Sequence, residues 1–95
     1  MNGTAFKDKV VWITGASSGI GEALVNVFAT QQSYIVLSAR NKEKLVQVAK
    51  AAGLAPERFL IIDFDLSDTG KATQYVSSIL EKFGRIDVLI NNGGY

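Results

Sequence analysis

The stretch Thr14-Gly15-Ala16-Ser17-Ser18-Gly19-Ile20-Gly21 decides the fold. Its three glycines, spaced G-x-x-x-G-x-G, stand between a short apolar run, Val10 to Thr14, and a longer one in which Ile20, Ala23, Leu24, Val27 and Phe28 recur at helical intervals. The first run is mostly β-branched and aromatic with apolar side chains on both faces, as a buried parallel strand requires. The second predicts an amphipathic helix. A glycine at the strand end permits a tight turn, a second lets an anion approach the backbone, and a third lets helix and strand pack closely. The N–H groups that open a helix lack internal partners and carry partial positive charge, so a phosphate diester is stabilised there without a lysine. Ser17 and Ser18 add hydroxyls that donate to such a group or cap the helix. A bland turn before a helix would also use Gly and Ser; the setting separates the two readings, because strand, turn and helix here open a βαβ unit. No Gly-Lys-Ser/Thr follows, which excludes a P-loop, and the G-x-G-x-x-G spacing is absent.

Working outward, residues 34–38 repeat the buried-strand pattern. Asn41 is placed to cap a helix whose inner face is Leu45, Val48, Ala49 and Ala52, with Gly53 ending it and Pro56 in the loop beyond. Residues 59–64 form a third apolar run, and Asp65-Leu66-Ser67-Asp68 leads into a helix with Ala72, Val76, Leu80 and Phe83 on one side, closed by Gly84. Residues 86–90 are a fourth strand, followed by Asn91-Asn92-Gly93-Gly94-Tyr95. The order βαβαβαβ predicts an α/β protein with a Rossmann-type, doubly wound parallel sheet in three α/β/α layers. Residues 1–95 read as the N-terminal part of one such domain, truncated after strand four, with no repeat, low-complexity tract or interdomain linker.

Ten Lys and Arg against nine Asp and Glu, with no basic block, name neither nucleic acid nor an anionic membrane as partner. The absence of Cys and His excludes disulfides, thiolate or imidazole metal sites and every Ser-His or Cys-His nucleophile within these residues. The carboxylates do not cluster, so no metal-binding residue is predicted. No apolar run approaches the roughly 20 residues of a membrane span, and residues 1–9 lack an apolar signal core. The expectation is a soluble, cytoplasmic protein, with which the missing Cys agrees.

Together, the glycine turn, the Asp65-Leu66 step and Asn91-Asn92-Gly93-Gly94 resemble the classical short-chain dehydrogenase/reductase family, and the likeness runs from Phe6 to Gly94. That family's pattern has a T-G-x-x-x-G-x-G turn, an acidic residue after strand three and N-N-A-G after strand four. These fall in order on residues 14–21, on Asp65 and on residues 91–94, with Gly93 replacing the usual Ala. The resemblance implies an oxidoreductase that moves hydride between a nicotinamide cofactor and a small carbonyl or alcohol substrate. It implies that Gly15, Ser17, Ser18, Gly19, Ile20 and Gly21 surround the diphosphate. It also implies that Asp65 accepts from the adenine amino group with Leu66 beside it, and that Asn91 and Gly93 line the adenosine-ribose side. Two alternatives stay open: Asp65 as an acidic residue leading a helix, a role for which Asp68 is better placed, and Asn92 as a brace for the sheet or as a ligand contact. Asp63 reads as structural or solvated.

An acidic residue about 20 positions beyond the turn, at the end of strand two, would bind both ribose hydroxyls of NAD. Ala39 and then Arg40 stand there instead. No carboxylate repels a 2′-phosphate, and the guanidinium offers it a planar fork of donors, so NADP is the expected cofactor and NAD remains possible. A hydrogen bond to a charged group contributes about 1.5–3 kcal/mol, a preference of roughly tenfold to a hundredfold. The competing reading makes Arg40 an ordinary solvated residue at a strand end. Ser38 is a weak second donor.

The family's chemistry calls for a Tyr as general acid or base, a Lys four residues later and a carbonyl-polarising Ser. Tyr34 is followed four residues on by Ser38, Tyr75 by Ile79, and nothing follows Tyr95, so no catalytic residue is assigned; Tyr75 reads as a helix-surface residue. The catalytic half is expected beyond Tyr95, along with the helices through which family enzymes form homo-oligomers. The alternative is a noncatalytic nucleotide sensor or scaffold that kept the cofactor half, and a downstream Tyr-x-x-x-Lys preceded by a Ser separates the two. A methyltransferase on the same fold would leave Arg40 and the Asn pair unexplained. A domain of this size buries only about two thirds of the surface its unfolded chain exposes, and strand four carries an unpaired apolar edge. The isolated segment is therefore expected to be marginally stable or to self-associate; a sharp cooperative melt from a monodisperse monomer contradicts this.

Overall fold

A computed structural model describes residues 5–63 and 69–92. The elements follow the predicted order: β1 (Val10–Thr14), α1 (Gly19–Thr30), β2 (Tyr34–Ala39), α2 (Lys42–Ala51), β3 (Phe59–Asp63), α3 (Ala72–Phe83) and β4 (Val88–Asn91). Short 3-10 turns at Pro56–Arg58 and Thr69–Lys71 precede β3 and α3. All pairings are parallel and the sheet order is β3-β2-β1-β4.

That order dictates the layers. From β1 the chain steps to β2 and β3, then returns past both to the far side of β1. A right-handed crossover lays its helix on one face for a step in one direction and on the other for the reverse, so α1 and α2 share a face and α3 takes the opposite one. Both faces of the sheet are correspondingly apolar. Val11, Ile13, Ile35 and Leu37 pack with Val25 and Phe28 of α1 and Leu45, Val48 and Ala49 of α2. Val10, Val36 and Ile62 pack with Ile79 of α3, joined by Trp12, Tyr34, Tyr75 and Phe83.

Helix α2 matches the sequence reading closely. Asn41 Oδ1 accepts from the Lys44 N–H at 3.1 Å as N-cap, the inner face is the predicted one, and Gly53 follows the C-cap residue Ala52. The other two helices are rotated from expectation. In α1 the buried residues are Gly21, Val25 and Phe28, while Ile20 and Val27 are 70% and 48% exposed. In α3 the inner stripe is Tyr75, Ile79 and Phe83, so Tyr75 is a packed residue, and Leu80 is 45% exposed. Contacts from elsewhere select these rotations. Phe83, common to both stripes, meets the Tyr34 ring with centroids 5.1 Å apart, and the Tyr75 ring beside the buried Ile79 covers more apolar area than the Leu80 side chain would. For α1 the selector is Gly21: a Cβ there would stand 2.1 Å from the Gly15 carbonyl oxygen and 2.8 Å from Ala16 Cα.

Strand β4 starts at Val88 rather than 86, because Asp87 is occupied in anchoring the start of β1. Its N–H donates to the Val10 carbonyl at 2.9 Å and its Oδ2 accepts from the Val10 N–H at 2.8 Å. Arg85 donates to Oδ1 from Nε and Nη2 at 2.9 and 2.6 Å. Among the described residues β4 pairs with β1 alone, and Leu89 on it is 57% exposed.

Two outcomes are expected. Gly21→Ala forces turn and helix apart against backbone atoms, which costs about 1–3 kcal/mol; chemical denaturation of the two proteins side by side checks it, and equal midpoints refute it. The Val10 N–H, opposed by burial and assisted by Arg85, holds the Asp87 carboxyl below its ordinary 3.8. A depressed carboxylate stabilises the fold above that value, and the contribution disappears as pH falls through the folded pKa. Asp87→Asn should therefore lower stability at pH 7 and flatten the loss of stability between about pH 5 and pH 2, read from urea midpoints across that range.

Candidate functional site

In an open parallel sheet ligands bind outside the carboxyl ends of the strands, where the strand order reverses. Here that place is the junction of β1 and β4. A hollow of about 340 Å³ bordered by Lys7, Asp8, Ser33 and Arg58 lies at the opposite, amino end. The glycine turn leaves β1 at the reversal point.

Gly15 takes φ 64°, which turns the chain directly out of the strand. The Ala16 N–H donates to the Ser38 carbonyl at 3.1 Å, tying the turn to the end of β2. Ser18 is the N-cap of α1: its hydroxyl accepts from the Gly21 N–H at 3.4 Å and its carbonyl accepts from the Glu22 N–H at 2.7 Å. The Ser18 N–H donates to the Gly15 carbonyl at 3.2 Å. Of the helix's first N–H groups, Gly19 and Ile20 precede any intrahelical acceptor and open the helix on its exposed side. The two helical glycines differ sharply in surroundings. Gly21 is jammed against Gly15, whereas a Cβ at Gly19 would meet nothing within 4 Å. The chain's own packing demands the first glycine; the second clears space outside the backbone, as an approaching diphosphate would need.

The tip of β4 supports the turn. Asn92 Nδ2 donates to the Gly15 carbonyl at 3.2 Å and to Ser18 Oγ at 3.0 Å. The Asn92 N–H donates to Thr14 Oγ1 at 3.0 Å, whose own proton is directed at Asn91 Oδ1, 3.0 Å away, with the Ile90 carbonyl at 3.4 Å. Thr14, only 6% exposed, is the residue that sequence reasoning missed as a brace. Its position in the T-G pair was visible, but its partners lie 76 to 78 residues away.

The remaining predicted residues fall as follows. Arg40 is exposed one residue past β2, at the same end of the sheet; Ser17 is half-buried in the turn, Ile20 exposed, and Asn91 exposed at the end of β4. Asp65, Leu66 and Gly93 lie outside the described residues. Asp63 is exposed at the end of β3, in register with Ala39. Ser38 needs correction: it is fully buried, and its hydroxyl accepts from Trp12 Nε1 at 2.7 Å, so it is turned into the sheet face and is not a donor beside Arg40. Among the described residues no group of three or more His, Cys, Asp or Glu could hold a metal, and no helix is long and apolar enough to cross a membrane.

Comparison with known proteins agrees with this geometry. Residues 9–95 match the family model for short chain dehydrogenase. The human dehydrogenase/reductase SDR family member 7 is 43% identical over 91 residues, covering 92% of this chain and 27% of that protein. The meso-2,3-butanediol dehydrogenase of Serratia marcescens is 40% identical over 89 residues, covering 94% of this chain and 35% of that one. Among solved structures, a short chain dehydrogenase from Bacillus anthracis superposes with a TM-score of 0.87 at 40% identity, over 94% of this chain and 36% of that one. The N-domain of a bacterial malonyl-CoA reductase, solved with NADP, superposes with a TM-score of 0.84 at 26% identity, over 95% and 17% of the two chains. The chain thus spans about a third or less of the length of these relatives. The parallel sheet, the glycine turn at its reversal point and these matches together make the chain a member of the short-chain dehydrogenase/reductase family, oxidoreductases that bind nicotinamide cofactors.

Proposed function

We propose that this chain is the cofactor-binding part of an NADP-dependent reductase or dehydrogenase that interconverts a carbonyl and an alcohol, with the catalytic Ser, Tyr and Lys supplied by residues beyond Tyr95. One observation carries the reading: Gly21 is locked against the Gly15 carbonyl while Gly19 faces open space at the start of α1. A turn shaped only by its own packing has no need of the second glycine; a diphosphate seated on the Gly19 and Ile20 N–H groups does. In the same reading Asp65 accepts from the adenine amino group with Leu66 beside it, and Asn91 and Gly93 line the ribose. That the Serratia relative is named for a diol supports an alcohol or carbonyl substrate. The full-length protein would work as a homo-oligomer.

Arg40 supplies the preference for NADP. It is exposed, and solvent screening places its contribution at the low end for a charge-assisted bond, a factor of about ten. Titration of the full-length protein with NADPH and NADH should show tighter NADPH binding, and Arg40→Ala should remove about tenfold of the NADPH affinity with little change for NADH. Equal affinities for both nucleotides in both proteins would reject the NADP assignment, and no binding of either would reject the dinucleotide reading itself.

A further inference from the structure

The hollow at the amino end of the sheet has a volume of about 340 Å³, at the small end of the roughly 300–1,000 Å³ that small-molecule pockets span. Three segments enclose it: the turn before β1, the end of α1 and the connection from α2 to β3. Ala29, Leu54 and Ala55 give it an apolar floor, and the first two pack against the core beneath, which holds the floor in place. Its charged groups are Lys7, Asp8 and Arg58. Arg58 engages both Nη2 hydrogens within the chain, donating to Asp8 Oδ1 at 3.2 Å and to the Gln32 carbonyl. Its guanidinium also lies 4.0 Å above the Tyr34 ring, a cation–π contact that fixes its position. The Nε and Nη1 hydrogens have no acceptor among the described residues, and the Lys7 side chain has neither an ion pair nor a hydrogen bond among them.

The charges around the hollow select a ligand. Asp8 is paired with Arg58, which leaves the single positive charge of Lys7 unbalanced. The C-terminal ends of α1 and α2 border the hollow and carry partial negative charge, but their last carbonyls are already engaged. Phe28 O and Ala29 O accept from the N–H groups of Ser33 and Gln32, and Ala49 O and Lys50 O from those of Leu54 and Gly53. A singly charged anion is balanced there, whereas the second charge of a dianion meets Asp8 uncompensated. The backbone beside the hollow is strained as well. Asp8 and Gln32 adopt φ 62° and 63°, the left-handed region that non-glycine residues avoid, and the Asp8 N–H donates to the Gln32 carbonyl at 3.0 Å. Strain of this kind collects at ligand clamps, where surrounding contacts hold it. We propose that the hollow is a second ligand site, separate from the glycine turn and independent of the dinucleotide reading, for a small organic monocarboxylate. Lys7 and the unengaged N–H groups of Arg58 hold the carboxylate, and Ala29, Leu54 and Ala55 cover its short apolar body.

The test uses the full-length protein at fixed ionic strength and ligand-observed NMR titration with butyrate, butyramide and inorganic phosphate. Butyrate should bind about tenfold more tightly than butyramide, which keeps the shape and loses the charge, and more tightly than phosphate, which lacks the apolar body. Lys7 is exposed, so Lys7→Gln should leave the thermal melt in place, weaken butyrate about fivefold and leave butyramide unchanged. Ala55→Phe fills the hollow and should abolish binding of both. If that variant does not fold, Lys7→Glu takes its place, disturbing no packing and abolishing butyrate binding alone. NADPH and butyrate should bind without competing, because the glycine turn lies at the other end of the sheet. The proposal is overturned if butyrate does not bind, if butyramide or phosphate binds as tightly, if Lys7→Gln binds butyrate like wild type, or if NADPH displaces butyrate, which would put the probe in the cofactor crevice. A wild type that binds butyrate in this pattern and no dinucleotide supports the second site and removes the dinucleotide reading alone.

Discussion

Helix α1 can leave β1 as closely as it does because position 21 carries only a hydrogen where any Cβ would meet the Gly15 carbonyl oxygen at 2.1 Å. That contact sets the rotation of the helix, so Gly21, Val25 and Phe28 face the sheet and Ile20 and Val27 face outward. The same rotation carries Gly19 to the open side of the backbone and leaves the Gly15 carbonyl where Ser18 and Asn92 both reach it. Interior packing usually decides stability and leaves binding to loops. Here one steric constraint decides both the packing of the helix and the exposure of its first residues, because the loop is only a few residues long and is closed by the helix it introduces.

The two ends of the sheet are finished differently. At the amino end, polar side chains are engaged with backbone and with one another. Asp87 pairs with both main-chain groups of Val10; Arg58 donates to Asp8 and to the Gln32 carbonyl while lying 4.0 Å above the Tyr34 ring; Lys82 donates to the carbonyls of Pro56 and Phe59 at 3.1 and 2.7 Å. Exposed ion pairs of this kind each contribute only about 0–1 kcal/mol, but they satisfy carbonyls that strand starts and loops leave over. At the carboxyl end, side chains support the backbone from within: Thr14, Asn91 and Asn92 form a network between β1 and β4. The N–H groups of Gly19 and Ile20 at the start of α1 face outward and have no intrahelical acceptor. A closed end and an open end on one sheet give the molecule a direction, and it follows from the order β3-β2-β1-β4.

Some features are legible residue by residue and others are not. Asn41 as cap and Leu45, Val48 and Ala49 as the inner face of α2 can be read directly, because capping and helical periodicity act within a turn or two. The faces of α1 and α3 cannot be read so simply: each helix has apolar residues around more than one side, so its pattern admits two rotations and a distant partner chooses. Ser38 misleads for a related reason, since a serine at a strand end looks available until β1 and β2 pair and bring Trp12 to it.

The amino-acid order alone determined which segments are strands and helices, the parallel alternating architecture, and the glycine turn between β1 and α1. Each of these depends on side-chain periodicity, on missing side chains or on caps within a few neighbouring residues. Only the folded chain decided that Thr14 hydrogen-bonds to Asn91 and Asn92 and that Ser18 accepts from Asn92, across 74 to 78 residues. Hydrogen-bond saturation belongs to a meeting of strand ends, and a meeting between segments so far apart leaves no periodic trace in either one.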